Sequence, residues 1–340
     1  MDEGETRPAA FAGLPEKVLI TGAGGFIAGH LAERLLGLGV AVRGLVRRPE
    51  SAPWLARRGA EICAGDILDP AAVSAAAQGC AAVVHAAAWT GGRELPAPRA
   101  WRTNVEGTAN VLAAARAAGA GRLIYISSVA VYGLNRAPLV DESMPTLPVG
   151  DLYPDSKITA EAEVRAAGLP YVIIRPASTY GPRGTAWTLG PLQQIRRGRL
   201  VLLGADRGLV TPGYVDNVVD GLCLALAAPQ ALGEAFNLCD DRAVTYREFY
   251  LAYARMTGRG HLPTVPAPVA RLARLGVTNW LRGRLGRQTI GPWSLHFRTN
   301  PSQFSIAKAE RLLGYRPRVD FAEGMRRTEV WLAAEGYLKR

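Results

Sequence analysis

Few residues of this 340-residue chain can form covalent or metal cross-links. Its four cysteines, Cys63, Cys80, Cys223 and Cys239, stand among apolar residues with no CxxC spacing. That excludes a disulfide framework and a zinc site, and buried thiols in a reducing cytoplasm are expected instead. The four histidines show no metal-ligand spacing, so no metal is expected. The sequence lacks an apolar run of about 20 residues, so no membrane-spanning helix is expected. The first 17 residues, "MDEGETRPAAFAGLPEK", are acidic and lack the apolar stretch of a secretory signal. Residues 1–16 therefore read as a disordered leader. No internal repeat or low-complexity linker divides the rest, and no base-reading module accompanies the net charge of +11, so no nucleic-acid partner is expected.

Acid is scarce toward the C-terminus. From Arg255 onward, lysine and arginine outnumber aspartate and glutamate by 16 to 5. A solvated arginine-rich face explains this, and so would a surface that meets phosphate groups or makes peripheral contact with an anionic membrane.

With 49% hydrophobic residues the chain can bury a large core. "KVLITGAGGFIAGHLAERLLGLG" reads as a buried strand, a glycine turn and a helix. "VAVRGLV", "AEICAGD", "AAVVHAAA", "RLIYISS" and "PYVIIRP" are further strands, separated by alanine- and leucine-rich helical stretches. Strands alternating with helices predict βαβ units and an α/β, Rossmann-type doubly wound parallel sheet. After Gly181 the pattern loosens, with helices near 215–228, 245–257 and 304–313. The expected division is a dinucleotide-binding domain over 17–180. A smaller, mostly helical substrate lobe over 181–340 would be interleaved with the end of the sheet.

The first strand runs into Gly22-x-x-Gly25-x-x-Ala28, with Phe26 and Ile27 opening the helix. Glycine permits the tight turn, and its missing side chain lets backbone N–H groups approach a pyrophosphate at the helix N-terminus. An acidic residue at the end of the second strand would bind an NAD ribose. That acid is absent: Val46 stands there, followed by Arg47 and Arg48. Guanidinium groups suit a 2′-phosphate, so NADP(H) is the expected cofactor and NAD(H) the alternative.

Tyr153 precedes Lys157 by four residues in "GDLYPDSKITAEAEV". Residues so spaced share one helix face, and Asp151 with Pro154 marks a helix start at this point. A tyrosine acting near neutrality must drop from a pKa of about 10 by ~3 pH units, or ~4 kcal/mol, and a neighbouring cation is one means of doing so.

"TGAGGFIA", "GDILD", "HAAA", "NVEGTANVL", "SSVAVYG", "YPDSK" and "RPASTYGPRG" occur in the order and spacing of the extended short-chain dehydrogenase/reductase family. The sequence resembles that NAD(P)-dependent epimerase/dehydratase superfamily over about residues 17–335. Its pattern is closest to the 3β-hydroxysteroid-dehydrogenase-like branch, with Ala28 where the family usually has glycine. The resemblance implies that Tyr153 moves the proton while hydride passes between a carbinol carbon and the nicotinamide. It implies that Ser128 hydrogen-bonds the substrate oxygen. Lys157 would lower the tyrosine pKa and hold the ribose, and Asn104 would order the site. By the same resemblance Asp66 and Ile67 flank the adenine, Ala86 and Ala87 line the cofactor channel, and Pro176 to Thr179, Ser178 included, lie near the nicotinamide.

For the substrate, the resemblance suggests a secondary alcohol or ketone on a hydrophobic compound, or else a nucleotide sugar undergoing epimerisation. Val129 and Ala130 follow Ser128, so the acid pair of sugar dehydratases is missing. Trp89, Tyr180 and Trp187 each follow a site motif and are expected at the substrate. Residues 265–298, with Trp280 and Trp293, are expected to cap its pocket. A homodimer is the expected assembly.

Overall fold

Along the first strand, Val18 and Ile20 pack into one apolar layer and Leu19 into another. Successive strand side chains face opposite ways, so an uninterrupted apolar strand needs cover on both faces. The computed structural model, which describes residues 8–91, 95–203, 208–265 and 298–338, supplies that cover. Seven strands form the central sheet: β1 (Lys17–Thr21), β2 (Ala41–Val46), β3 (Glu61–Ala64), β4 (Ala82–His85), β5 (Arg122–Ile126), β6 (Tyr171–Pro176) and β7 (Ala235–Leu238). They lie in the order β7-β6-β5-β4-β1-β2-β3, all paired in parallel.

The main helices are α1 (Phe26–Gly37), α2 (Pro70–Ala77), α3 (Ala97–Asn104), α4 (Glu106–Ala117), α5 (Leu152–Ala166), α6 (Gly190–Arg196), α7 (Val215–Ala227), α8 (Tyr246–Met256), α9 (Ala307–Leu313) and α10 (Phe321–Ala334). Leu31 and Leu35 of α1 and Val218 and Leu222 of α7 join one layer. Val73 of α2, Val111 of α4 and Val164 of α5 join the other. This is the Rossmann-type doubly wound sheet that the alternation of strands and helices predicts.

The chain runs outward on both sides of β1, to β2 and β3 on one side and to β4 onward on the other. Such a reversal opens a crevice at the carboxyl ends of the strands. Gly22, Arg47, Asp66, Ala86, Ser127 and Ala177 all lie at or just past those ends.

Two expectations change. Residues 8–16, read as part of a disordered leader, pack against the core. A 3-10 turn over Ala9–Phe11 carries Phe11 into the core, and Leu14 is buried with it. The cause is local fit: a Cβ on Gly13 would lie 2.5 Å from the Ala227 carbonyl oxygen, so the segment lies tight against the end of α7. The seventh strand was not read from the sequence. β7 has four residues, and it is a strand because it pairs with β6. The chain thus returns to the sheet through α7 and β7 after leaving it at Pro176. The lobe beyond the sheet is built from α6, α8, α9, α10 and short strand pairs.

Candidate active site

Gly22 has φ +67, a conformation that disfavours L side chains, and a Cβ there would lie 2.8 Å from Ala87 Cα. The turn after β1 is thereby pressed against the loop after β4. Gly25 caps α1 without a side-chain bond, so the first N–H groups of the helix are open to an anion. The cleft above has a volume of about 680 Å³. Gly22, Gly24 and Gly25 form one wall, and Arg47, Arg48, Asp66 and Ile67 stand at the ends of β2 and β3. Ala86, Ala87 and Trp89 follow β4. The Trp89 indole N–H is buried with no hydrogen-bond partner among the described residues. A glycine cradle, an open helix N-terminus and an orphaned donor fit an NAD(P) molecule, and no wall residue at the β2 end is acidic. When bound, the nicotinamide supplies or accepts the hydride.

Phe26 and Ile27, the first residues of α1, follow Gly25 but do not line this cleft, and Phe26 lies edge-on to His30. Arg43 is not available to share a phosphate. It bonds Glu61 at 2.8 Å and the carbonyls of Ala76 and Gln78 at 2.8 and 2.6 Å.

Asp151 caps α5 and accepts the Tyr153 N–H at 3.2 Å, which sets Tyr153 in the first helical turn. Tyr153 is half-buried, and Ser128 caps the 3-10 turn after β5. Burial pushes the Tyr153 phenol up, and the neighbouring Ser128 side chain draws it part of the way back. Lys157 is buried one turn on. Its Nζ donates to the Ile126 carbonyl at 2.8 Å and lies 4.7 Å from the centre of the Tyr125 ring. Desolvation brings its pKa down from 10.5 to about 7, with Glu161 opposing. The lysine is bonded to the backbone of β5, and the group that draws the Tyr153 phenol down is the Ser128 hydroxyl.

Asn104 holds the loop after β4. It accepts from Trp89 N at 2.7 Å and donates to Trp89 O at 3.0 Å and to Ser156 Oγ at 2.9 Å. One side chain thus ties the cofactor wall to the helix that carries Tyr153 and Lys157.

A family model for the NAD dependent epimerase/dehydratase family matches residues 18–239. The chain belongs to that family. A 4-hydroxy-2-methyl-3-oxo-4-farnesyl-3,4-dihydroquinoline-1-oxide ketoreductase of Stigmatella aurantiaca is 32% identical, over 91% of this chain and 94% of its own. A 3β-hydroxysteroid dehydrogenase/Δ5→4-isomerase of Mycobacterium tuberculosis is also 32% identical, over 88% of this chain and 86% of its own. Among solved structures, an epimerase of Methanothermobacter thermautotrophicus superposes with a TM-score of 0.79 at 22% identity, covering 96% of this chain and 95% of its own. This epimerase/dehydratase-family protein is an NAD(P)-dependent oxidoreductase of the extended short-chain dehydrogenase/reductase type.

Beside Tyr153 and Ser128 the family member has a second, smaller pocket of about 310 Å³. Trp187, Tyr246 and Tyr250 form its aromatic wall, Ala177 and Ser178 come from just past the end of β6, and Arg298 also lines it. Trp187 is placed by a π-helical turn over Thr185–Leu189 and by edge contact with Phe249. The three tryptophan and tyrosine expectations therefore separate. Trp187 lines this pocket, whereas Trp89 lines the cofactor cleft. Tyr180 lines neither. It is fully buried in an aromatic cluster with Tyr214, Phe249 and Phe321, because the strand Ser178–Tyr180 turns its last side chain into the lobe core. Pro176 is buried at the end of β6, with Ser178 beyond it. Residues 266–297, with Trp280 and Trp293, lie outside the described residues. Arg298, the last residue of the segment 265–298 expected to cap the pocket, does line it, whereas sequence reading does not single out Tyr246 and Tyr250. They adjoin no motif, and pocket contact is their one common property.

Behind the site lies a buried ion pair. Arg175 of β6 binds Glu161 of α5 through Nε at 2.9 Å and Nη2 at 2.7 Å. Glu161 also accepts Ser127 Oγ at 2.6 Å, and Arg175 Nη1 donates to Tyr132 OH at 2.9 Å. Ser127 precedes Ser128, and Tyr132 closes the same turn, so this pair fixes both ends of the segment that presents Ser128. His85 is held neutral by burial, its pKa lowered to about 3. Its Nε2 meets Thr108 Oγ1 at 3.0 Å, and that hydroxyl donates to Asn104 O. Its Nδ1 meets Thr21 Oγ1 at 2.8 Å, which accepts Ala87 N–H. These contacts are all satisfied by the tautomer with its proton on Nε2.

Proposed function

We propose that the protein reduces a ketone, or oxidises the matching secondary alcohol, on a hydrophobic compound with NADP(H) as the preferred cofactor. The observation that carries this reading is the small pocket. Ser128 and Tyr153 face an aromatic wall there, next to a cleft built for a dinucleotide. In the reductive direction the substrate oxygen is set by Ser128 and takes its proton from Tyr153 as the carbon receives hydride. Lys157 and Asn104 hold the two walls in register. The relatives named above act on a farnesylated quinoline and on steroids, which supports a sterol-like or lipid-like substrate. Arg47 and Arg48 at the end of β2 support the 2′-phosphate.

An epimerase acting on a UDP-sugar was the competing reading, and it would call for several arginines around the pocket. Among the described residues one arginine lines it. We read the location as cytoplasmic, supported by four free cysteines, three of them buried, and take a homodimer as the working form. The basic C-terminal segment would make peripheral contact with an anionic membrane surface. The deciding experiment is Tyr153→Phe. It is expected to keep NADPH affinity and lose ~10²–10⁴ in turnover on a hydrophobic ketone. Near-normal turnover would overturn the assignment.

A further inference from the structure

The loop from Gly181 to Gly184 joins the strand Ser178–Tyr180 to the π-helical turn that carries Trp187. Arg183 in this loop has φ +67, the one positive φ outside glycine among the described residues. A side chain is disfavoured in that conformation and persists where its surroundings over-determine it. Here they do. Arg183 pairs with Glu33 of α1, and its guanidinium carbon lies 4.4 Å from the centre of the Trp54 ring. Burial, and after it the Arg183 charge, bring the pKa of His30 on the same helix down to about 4. Trp54 itself rests on α1, where a Cβ on Gly29 would lie 2.8 Å from its ring. Helix α1 starts at the glycine cradle, and the short helix with Trp54 follows Arg47 and Arg48. One side chain thus touches the elements behind two walls of the cofactor cleft.

The other end of the loop is fixed to the substrate pocket. A Cβ on Gly184 would lie 3.1 Å from Phe26 Cζ and 2.7 Å from Thr188 Oγ1. That hydroxyl accepts the Gly181 N–H at 3.0 Å and donates to the Gly181 carbonyl at 3.1 Å. Its neighbour Trp187 forms part of the aromatic wall. π-Helical turns are rare, and a change of register turns a side chain about the helix axis.

We propose that Arg183 is a positioning residue that couples the two sites, so that NADP(H) in the cleft sets Trp187 in the pocket wall and cofactor and substrate bind cooperatively. This rests on the reading of the cleft as the NADP(H) site and of the pocket as the ketone site, and adds the link between them. By linkage, each ligand must tighten the other by the same factor.

The test reads binding and needs no turnover, because NADP⁺ with a ketone forms no product. Glycine adopts φ +67 freely, so Arg183→Gly removes the contacts without distorting the loop. At saturating NADP⁺, the part of the change in tryptophan emission that Trp187→Phe removes, in each background, is the Trp187 signal. It is expected in wild type, at least threefold smaller in Arg183→Gly, and partly recovered in Arg183→Lys. In calorimetry, NADP⁺ is expected to tighten 2-decanone about tenfold in wild type and twofold or less in Arg183→Gly. NADP⁺ binding without a Trp187 signal, or a signal that survives in Arg183→Gly, overturns the coupling and leaves the oxidoreductase reading intact. Loss of the signal with a lowered urea midpoint, unrecovered in Arg183→Lys, marks a merely structural role and also overturns it. An Arg183-dependent signal in a protein that does not bind 2-decanone supports the coupling and counts against the ketone reading. Wild type that does not bind NADP⁺ overturns the cofactor reading and the coupling with it.

Discussion

Lys157→Met is the substitution for which structure and chemistry pull in opposite directions. The lysine is buried, and its pKa falls from 10.5 to about 7. At 1.36 kcal/mol per pH unit, keeping it protonated in the folded state below pH 7 costs about 5 kcal/mol. Methionine has similar volume and no charge, so that cost vanishes. Two contacts vanish too. The bond to Ile126 O contributes ~1–3 kcal/mol and the approach to the Tyr125 ring about 1 kcal/mol. The net is a variant more stable than wild type by ~2 kcal/mol at pH 6. The sign then turns over. The folded pKa lies below the unfolded one, so between about 7 and 10.5 the unfolded state binds more protons, and wild-type stability rises with pH. Near pH 10 the folded amine is neutral and the ring contact is gone, so the variant should be the less stable by at most ~1 kcal/mol, the worth of the bond to Ile126 O. Urea unfolding of both proteins from pH 6 to 10, followed by tryptophan fluorescence, gives the difference curve. Turnover should be lost throughout. A difference curve that is flat in pH, or a Lys157→Met protein less stable than wild type at pH 6, would refute the desolvation argument.

Other expected outcomes follow from the same geometry. Glu161→Gln leaves Arg175 without its buried counter-charge and should cost ~3–5 kcal/mol in urea unfolding. The pair holds the Glu161 carboxyl below its usual range, so its contribution is present at neutral pH and lost as pH falls through the lowered value. His85 adds to that acid sensitivity: its folded pKa of about 3 lies below the usual 6.5, so stability falls between those values, and His85→Gln should flatten the fall in an acid titration followed by circular dichroism. Arg47→Ala should reduce the NADPH-over-NADH affinity ratio toward one in fluorescence titrations, and an unchanged ratio would remove Arg47 from the phosphate site. Gly22→Ala should weaken binding of both cofactors and destabilise the protein by ~1–2 kcal/mol or more, because it puts a side chain at φ +67 against Ala87.

Much of the fold could be read along the chain because its signals are local. A continuous apolar run of five residues is a buried parallel strand whatever its partners. Gly22 and Gly25 define a turn within four residues. Tyr153 and Lys157 share a helix face through helical pitch alone, and Asp151 marks where that helix begins. Strand alternation with helices then leaves few topologies, and the reversal at β1 fixes where a dinucleotide can lie.

What the sequence by itself determined was therefore six of the seven strands, the glycine turn and the shared helix face of Tyr153 and Lys157. Tertiary structure alone decided how each is tuned. Tyr180 and Trp187 look alike in sequence, and packing sent one to the lobe core and the other to the pocket. Arg43 and Arg47 are both cationic, yet Glu61 and two carbonyls hold the first while the second faces the cleft. The Lys157 pKa depends on burial under β5, and Arg298 reaches Tyr153 and Ser128 from a point more than a hundred residues away in the chain. Propensity and spacing act over a few residues, whereas burial, desolvation and the sharing of a pocket are properties of atoms brought together from distant parts of the chain.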